Sequence, residues 1–448
     1  MMSFSLAALL AESALRYPDR AAFKLGPDEV VYRDLWEQAR RYATVFAAHG
    51  VKAGDTVALM MPNVFDYPRA YYGILCLGAI VVPVHSLLLA DEVAYVLQDS
   101  GAALLVVADV FTEGSQGAVK LGIPALRTST LATMAAQADP VESYLERDPQ
   151  DDAVILYTSG TTGRPKGAVL SNYNISMNVQ IIVSDLFAIQ PDDRLLGCLP
   201  LFHSFGQTTV MNAAIRAGAC VILMPRFEGA TALDLLVTEQ ITLFMGVPTM
   251  YHALLEAAKN DTRRPNALRT AVSGGSSLPR VTLEAFEATF ATPIYEGYGL
   301  SETSPVASFN QDIFGRKPGT VGCGIWGVDL RIARAEIEDR LEFLPYGEIG
   351  EVVIRGHCVF KGYLNRPEAT AAAVIDGWFR SGDLGTQDAT GFVTIVDRKK
   401  DMVLRGGYNV YPREVEEVLM RHPAVSQVAV IGLPDAVHGE EVCAIVVR

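Results

Sequence analysis

Four short apolar runs, Arg194 to Leu199, Leu243 to Val247, Leu268 to Ser273 and Thr292 to Tyr295, each give way to a polar or glycine-rich turn. Runs of that length read as buried strands. The turns are PLFHSFG (Pro200 to Gly206), GVPTMY (Gly246 to Tyr251), SGGSS (Ser273 to Ser277) and EGYGLSET (Glu296 to Thr303). Residues 23–108 alternate in the same way, with helical Arg33 to His49, strand-like Thr56 to Met61 and a short run at Leu104 to Val107. Strand–helix alternation implies an α/β fold of parallel sheets with crossover helices. Ligands gather at the carboxyl ends of such strands, so these turns are the place to look for chemistry.

A fifth run, Val154 to Leu156, leads into YTSGTTGRPKGA, Tyr157 to Ala168. Gly160 and Gly163 let backbone approach a ligand closely; the hydroxyls of Thr158, Ser159, Thr161 and Thr162 donate; Lys166 brings a cation; Pro165 stiffens the turn. That mixture suits a phosphate chain. A flexible linker would need only the serine and glycine. The spacing is not that of the P-loop, where glycine is followed directly by lysine and a hydroxyl residue. Downstream, Ile175, Val179, Ile182 and Leu186 recur at helical spacing behind Ser171 and Asn172, which are capping candidates.

With 448 residues and 50% hydrophobic content, the chain has enough material for at least two domains. A formal net charge of −14 argues against a nucleic-acid binder working through a basic surface. The cysteines Cys76, Cys198, Cys220, Cys323, Cys358 and Cys443 are far apart and read as buried free thiols rather than a zinc site. Residues 1–20 lack a basic leader and read as a surface helix, and the apolar run Cys76 to Val84 is too short to span a bilayer. The expectation is a cytoplasmic enzyme with small-molecule partners and no transmembrane segment, and a homodimer stays open. Residues 111–149 show weak periodicity and read as variable surface.

Composition shifts after about residue 310. Lys317 to Arg355 is rich in glycine and β-branched residues in alternating runs, the pattern of a small β-barrel-like subdomain over about 310–396. GWFRSGDLG follows, then DRKKDMVLRGGYNVYPREVE, in which Pro412 opens a helix and Pro423 ends it. Val425 to Ile431 and Val442 to Val447 read as strands.

These stretches, in this order, resemble the adenylate-forming superfamily, which includes acyl-CoA ligases and luciferases. DRKKDMVLRGGYNVYPREVE with PLFHSFG looks most like bacterial medium- to long-chain fatty acyl-CoA ligases. The resemblance implies a large N-terminal domain, 1–399, of two mostly parallel sheets plus the barrel-like subdomain, and a small α+β C-terminal domain, 400–448. It implies activation of a carboxylic acid by ATP to acyl-AMP, then transfer to CoA, with magnesium. Thr158 and Glu302 match the metal pair. Lys166 and the loop hydroxyls match the triphosphate contacts, and the implied catalytic set is Lys166, His203 and Glu302.

Gly274, Gly275 and Ser276 with Glu296, Gly297 and Tyr298 match the walls around adenine. Ser301 stands where a hydroxyl, usually threonine, faces the α-phosphate. Asp383 matches the carboxylate for the ribose hydroxyls and Arg398 its cationic neighbour. Lys400 marks the hinge of a rotating domain, and Asn409 meets the nucleotide from that domain. His203, otherwise a satisfied core histidine, abuts the reacting carboxylate in the family. Phe205, Thr209, Met245 and Val247 are implied acyl-pocket lining or else ordinary core. Arg226 matches a contact to CoA phosphates, and Gly406 and Gly407 a turn against the pantetheine arm.

The family also carries a far C-terminal glycine-lysine motif whose lysine bridges carboxylate and α-phosphate. Arg448 is reached without it, so truncation and slow adenylation are expected. Two alternatives remain: an enzyme that loads a carrier-protein thiol, and a nucleotide- or acyl-binding relative without catalysis.

Overall fold

The structure, a computed structural model, describes residues 4–158, 164–406, 408–422, 424–425, 427–435 and 438–447. The described residues form four sheets. In the nine-stranded sheet the strands Ile294–Gly299, Thr270–Ser273, Leu243–Gly246, Arg194–Gly197, Cys220–Leu223 and Ala21–Leu25 lie side by side and parallel. In the seven-stranded sheet Asp152–Thr158, Ile80–Pro83, Thr56–Met60, Leu104–Val107 and Ala125–Arg127 are parallel, and the antiparallel Lys166–Ser171 extends it. Strands such as Leu243–Gly246 are buried at every position, which is why they appear as unbroken apolar runs without alternation.

Val328–Ala333, Gly350–Gly356, Val374–Ile375, Trp378–Gln387 and Val393–Arg398 form a five-stranded antiparallel sheet; between them lie the helix Pro367–Ala373 and the short strand Gly362–Tyr363, which joins the seven-stranded sheet instead. The register of the five-stranded sheet sets Asp383 opposite Arg398. Beyond it, a four-stranded antiparallel sheet and the helix Pro412–Leu419 make the small C-terminal α+β unit.

The two large sheets are tied where the site will be. Asn63, just beyond Thr56–Met60 of one sheet, donates to the carbonyls of Gly197 and Leu199 at 2.9 and 2.8 Å and accepts from Leu201 N at 3.0 Å. Tyr67 adds a bond to the Leu201 carbonyl at 2.8 Å. The PLFHSFG turn is therefore anchored from both sheets. The helix Asn172–Ile181 starts as expected, with the Ser171 hydroxyl accepting from Asn174 N at 3.1 Å.

Several expectations need correction. Residues 111–149 are not merely variable surface, because they hold helices Thr112–Leu121 and Thr128–Gln137 and the sheet strand Ala125–Arg127. The hydrophobic period is weak there because the packing face is built from small residues. A Cβ on Gly117 would come within 2.8 Å of the Ala90 carbonyl, so the helices touch through backbone. The N-terminal helix Ala8–Arg16 buries Leu10, Ala11, Ser13 and Ala14, and Ser13 bonds the Ile215 carbonyl at 2.6 Å. It is an embedded element with one exposed edge. The expected turn at Glu296 begins as strand, since Val306–Phe309 pairs antiparallel with Ile294–Gly299 and prolongs it. Of the six thiols, Cys323 and Cys443 are only half-buried. Among the described residues no helix is long and apolar enough to cross a membrane.

Candidate functional site

The segment Tyr298 to Glu302 organises the site. It leaves the end of a parallel strand, and Gly299 allows the backbone to fold tightly there, because a Cβ would run into the Pro305 carbonyl. At one end the Tyr298 hydroxyl donates to Asp383 Oδ2 at 2.6 Å. At the other, Glu302 Oε1 accepts from Thr158 Oγ1 at 3.1 Å. Both carboxylates are buried. Residues remote in sequence are thus joined through one five-residue segment. Ser159, Gly160, Thr161, Thr162 and Gly163 lie outside the described residues. The loop's flanks are fixed: Thr158 pairs with Lys166 across a hairpin, and Tyr95 bonds the Pro165 carbonyl at 2.8 Å.

A cavity of about 270 Å³ is lined by Gly275, Ser276, Glu296, Gly297, Tyr298, Asp383, Arg398 and Arg413 among others. Gly275, Ser276, Glu296, Gly297, Tyr298, Asp383 and Arg398 of the expected nucleoside set line it, whereas Gly274 lines the neighbouring cavity instead. Burial raises the Asp383 pKa, while the Tyr298 hydrogen bond and Arg398, 3.3 Å away, pull it back. The turn that precedes Asp383 is held by the Glu351–Arg380 pair, whose side chains are 4% and 7% exposed. Glu351 Oε1 accepts from Gly382 N at 3.0 Å and Oε2 from Arg380 Nε at 2.9 Å. This buried pair therefore shapes the turn that presents Asp383.

Glu296 is not only a backbone wall. Its carboxyl accepts from Gly319 N at 2.8 Å, and burial pushes its pKa up to about 7 against the pull of that bond and of Arg413 and Arg316. Arg413 comes from the C-terminal helix, where its guanidinium also donates to the Ile395 carbonyl and its backbone N donates to Asp397 at 3.1 Å.

A smaller cavity, about 60 Å³, adjoins this one and shares Gly275, Gly297 and Tyr298 with it. His203, Phe205, Thr209, Gly274 and Ser301 line it, with Phe187, Val306 and Phe309. Residues 206–212 form a π-helix, and the Thr209 hydroxyl bonds the Phe205 carbonyl at 2.7 Å. π-Turns of this kind often re-aim side chains at functional sites. The His203 ring sits at the cavity mouth, where surrounding protein and then His85 lower its pKa, so it is neutral at neutral pH. Ser301 Oγ lies 3.4 Å from Ser204 Oγ.

Not every expected residue reaches the site. Met245 is wholly buried in Leu243–Gly246 and does not line the cavity, because every position of that short central strand is core. Val247 stands at the start of the next helix and borders Gly275 rather than the cavity. Arg226 is exposed in the turn before Gly229–Thr238 and lines neither cavity. Lys400 is exposed in the turn after Val393–Arg398. Asn409 and Gly406 belong to the 403–410 hairpin, with Gly406 N bonded to the His438 carbonyl at 2.8 Å, and neither lines the nucleoside cavity. Gly407 lies outside the described residues. Sequence reasoning missed Tyr363, Ser204, Phe187, Phe309, Glu351 and Arg413. Of these, Ser204, Glu351 and Arg413 lay inside stretches already singled out.

The pair Thr158 and Glu302 offers few, hard oxygen donors, which suits a magnesium ion arriving on substrate phosphates rather than one held in a protein cage. Among the described residues no cluster of three or more His, Cys, Asp or Glu side chains forms such a cage.

A hairpin hydroxyl and two buried carboxylates joined through one strand-end segment, beside a cavity at the ends of parallel strands, define an α/β protein with a small second α+β unit. The chain belongs to the AMP-binding enzyme family, whose profile matches residues 10–364, while the profile of the AMP-binding enzyme C-terminal domain matches 414–448. It is 34% identical to a long-chain-fatty-acid–CoA ligase of Bacillus subtilis, over 99% of this chain and 85% of that protein. It is 36% identical to a feruloyl-CoA synthase of an Amycolatopsis species, over 96% and 86%. The ATP-bound crystal structure of MatB from Rhodopseudomonas palustris superposes with a TM-score of 0.92 at 34% identity, covering all of this chain and 89% of that one.

Proposed function

We propose that this protein is an AMP-forming acyl-CoA ligase, which joins a carboxylate to the α-phosphate of ATP with loss of pyrophosphate and passes the acyl group to the thiol of CoA. The observation that carries the reading is the five-residue segment that holds Asp383 through Tyr298 and Thr158 through Glu302. In this reading the segment carries a sugar-binding carboxylate at one end and, at the other, a hydroxyl paired with a metal-competent carboxylate, the groups a nucleoside triphosphate needs. Family membership and relatives that are acyl-CoA ligases support the same chemistry.

In this reading Thr158 and Glu302 hold the magnesium ion, which when bound stabilises charge on the phosphates. Lys166 and the hydroxyls of the 159–163 loop bind the triphosphate tail. Glu296, Gly297 and Tyr298 face the adenine, and Asp383 takes the ribose hydroxyls. His203, uncharged, hydrogen-bonds the carboxylate without forming an ion pair that ionised substrate would have to break. Arg226 meets CoA phosphates, and Gly406 and Gly407 flank the pantetheine arm after the small domain turns about Lys400.

For the acid, the expectation of a medium- or long-chain fatty acid rests on the relatives, one of which acts on a long-chain fatty acid and another on ferulate by name. The cavity beside His203 is small, and Phe187 and Phe309 meet edge-on at 5.2 Å in its wall. A compact apolar or aromatic acid fits it as drawn, whereas a long chain requires those rings to part. The test is pyrophosphate release across a panel of aliphatic and aromatic acids, with and without CoA. No acid supporting release above a Glu302→Gln control would overturn the reading.

A further inference from the structure

Three residues at the phosphate end of the site, Thr158 and Lys166 of one hairpin and Glu302 from a distant stretch, are met by a fourth side chain. The Tyr363 hydroxyl donates to Glu302 Oε1 at 3.0 Å, the same oxygen that accepts from Thr158 at 3.1 Å. The other side of the phenol faces Lys166, whose Nζ lies 5.2 Å from the ring centroid. Tyr363 thus contacts both charged partners at once. No ion pair joins Lys166 to Glu302 among the described residues.

The tyrosine is itself held in place. Gly362–Tyr363 is a short strand paired with Lys166–Ser171, with Tyr363 opposite Ala168, so its position is registered to the hairpin that carries Lys166. Its backbone N donates to Thr370 Oγ1 at 2.9 Å, and the Phe360 ring meets it edge-on at 4.8 Å. Phe360 N in turn bonds the Glu302 carbonyl at 2.9 Å. Three residues further on, Arg366 reaches Asp99 Oδ1 at 2.6 Å, and Asp99 Oδ2 accepts from Tyr157, the neighbour of Thr158, at 2.9 Å. The segment that carries Tyr363 therefore braces both the carboxylate and the entry to the phosphate loop.

We propose that Tyr363 is a positioning residue for the metal-triphosphate end of the site: its hydroxyl orients Glu302 and its ring holds Lys166 apart from that carboxylate. The physical need is clear. A lysine and a carboxylate free to meet in a partly buried cleft would pair, and a nucleotide would have to break the pair to use either group. A cation over an aromatic face is held more loosely and is free to swing to phosphate oxygens. A carboxylate already fixed by two hydroxyl donors loses little freedom on taking a metal ion.

This inference rests on the proposed ATP chemistry, and binding measured without any acid separates the two. Calorimetric titration with AMP, and with a non-hydrolysable ATP analogue plus Mn²⁺, compares wild type, Tyr363→Phe and Tyr363→Leu. Tyr363→Phe keeps the ring and removes the bond to Glu302. It is expected to weaken Mn²⁺-analogue binding about 10-fold, the worth of one hydrogen bond to a charged group, and to leave AMP binding unchanged. Tyr363→Leu, which also removes the lysine's resting place, is expected to weaken it further with AMP binding still intact. A Tyr363→Phe protein equal to wild type would overturn the inference, and so would parallel loss of AMP and analogue, the signature of a purely structural role. Wild type that binds neither nucleotide would sink the functional reading as well.

Discussion

Tyr298 Oη donates to Asp383 Oδ2 across 2.6 Å, joining residues 85 positions apart at the nucleoside end of the cleft. One strand end thereby supplies a wall of the cavity and also orients the carboxylate contributed by the small antiparallel sheet. A hydrogen bond to a charged acceptor has a net worth of roughly 1.5–3 kcal/mol. Tyr298→Phe is therefore expected to raise the KM for ATP about 10- to 100-fold with a smaller change in kcat. Asp383→Asn should behave likewise and should also weaken AMP binding. Steady-state kinetics at saturating acid, with AMP titration, checks both.

Glu296 titrates in the physiological range, so its effect on stability has a definite sign. Its folded pKa of about 7 lies above the ordinary 4.5, so its stabilising contribution is complete below about pH 4.5 and is lost as pH rises toward 7. Glu296→Gln removes that dependence. The variant is expected to gain stability relative to wild type between pH 5 and pH 8, an effect bounded by about 3 kcal/mol from the size of the shift. Urea unfolding midpoints at the two pH values measure it, and equal differences at both would contradict the assignment.

The Glu351–Arg380 pair is buried, with Glu351 also bonded to Gly382 N. Removing one partner leaves the other charge desolvated and alone. Glu351→Ala is expected to cost about 3–5 kcal/mol in stability, and it also frees the turn before Asp383. Thermal unfolding reads the first effect, and a raised KM for ATP in the surviving folded enzyme reads the second.

His203 lines the acyl-side cavity, and its pKa is lowered by burial first and by His85 second. It is expected to stay neutral through the range in which the enzyme works. His203→Ala should raise the KM for the acid about 10-fold and leave nucleotide binding unchanged, in keeping with loss of one hydrogen bond to a carboxylate. Opening the wall by Phe187→Ala should shift preference toward bulkier acids, read by pyrophosphate release across the same panel.

What was legible in the sequence was whatever depends on local pattern. Buried parallel strands announce themselves as unbroken apolar runs, and the turns beyond them were correctly read as the place where polar residues gather. Ser171 and Pro412 sit where their chemistry requires. The 111–149 segment escaped because its helices pack through Gly114, Gly117 and Ala118, small residues that leave no hydrophobic period. Met245 was misplaced for a related reason: a methionine one strand from the cavity reads the same as one in its wall.

Sequence by itself determined the α/β class and the family, since spacing and side-chain chemistry are local properties. Tertiary structure alone decided which residues meet. That Tyr298 holds Asp383 and that Glu302 faces both Thr158 and Tyr363 depend on how separate sheets pack, and that Glu351 and Arg380 are paired out of water depends on how two strands of the small sheet pair. Such contacts span tens to hundreds of residues, and their energies arise from burial and geometry that no stretch of chain carries on its own.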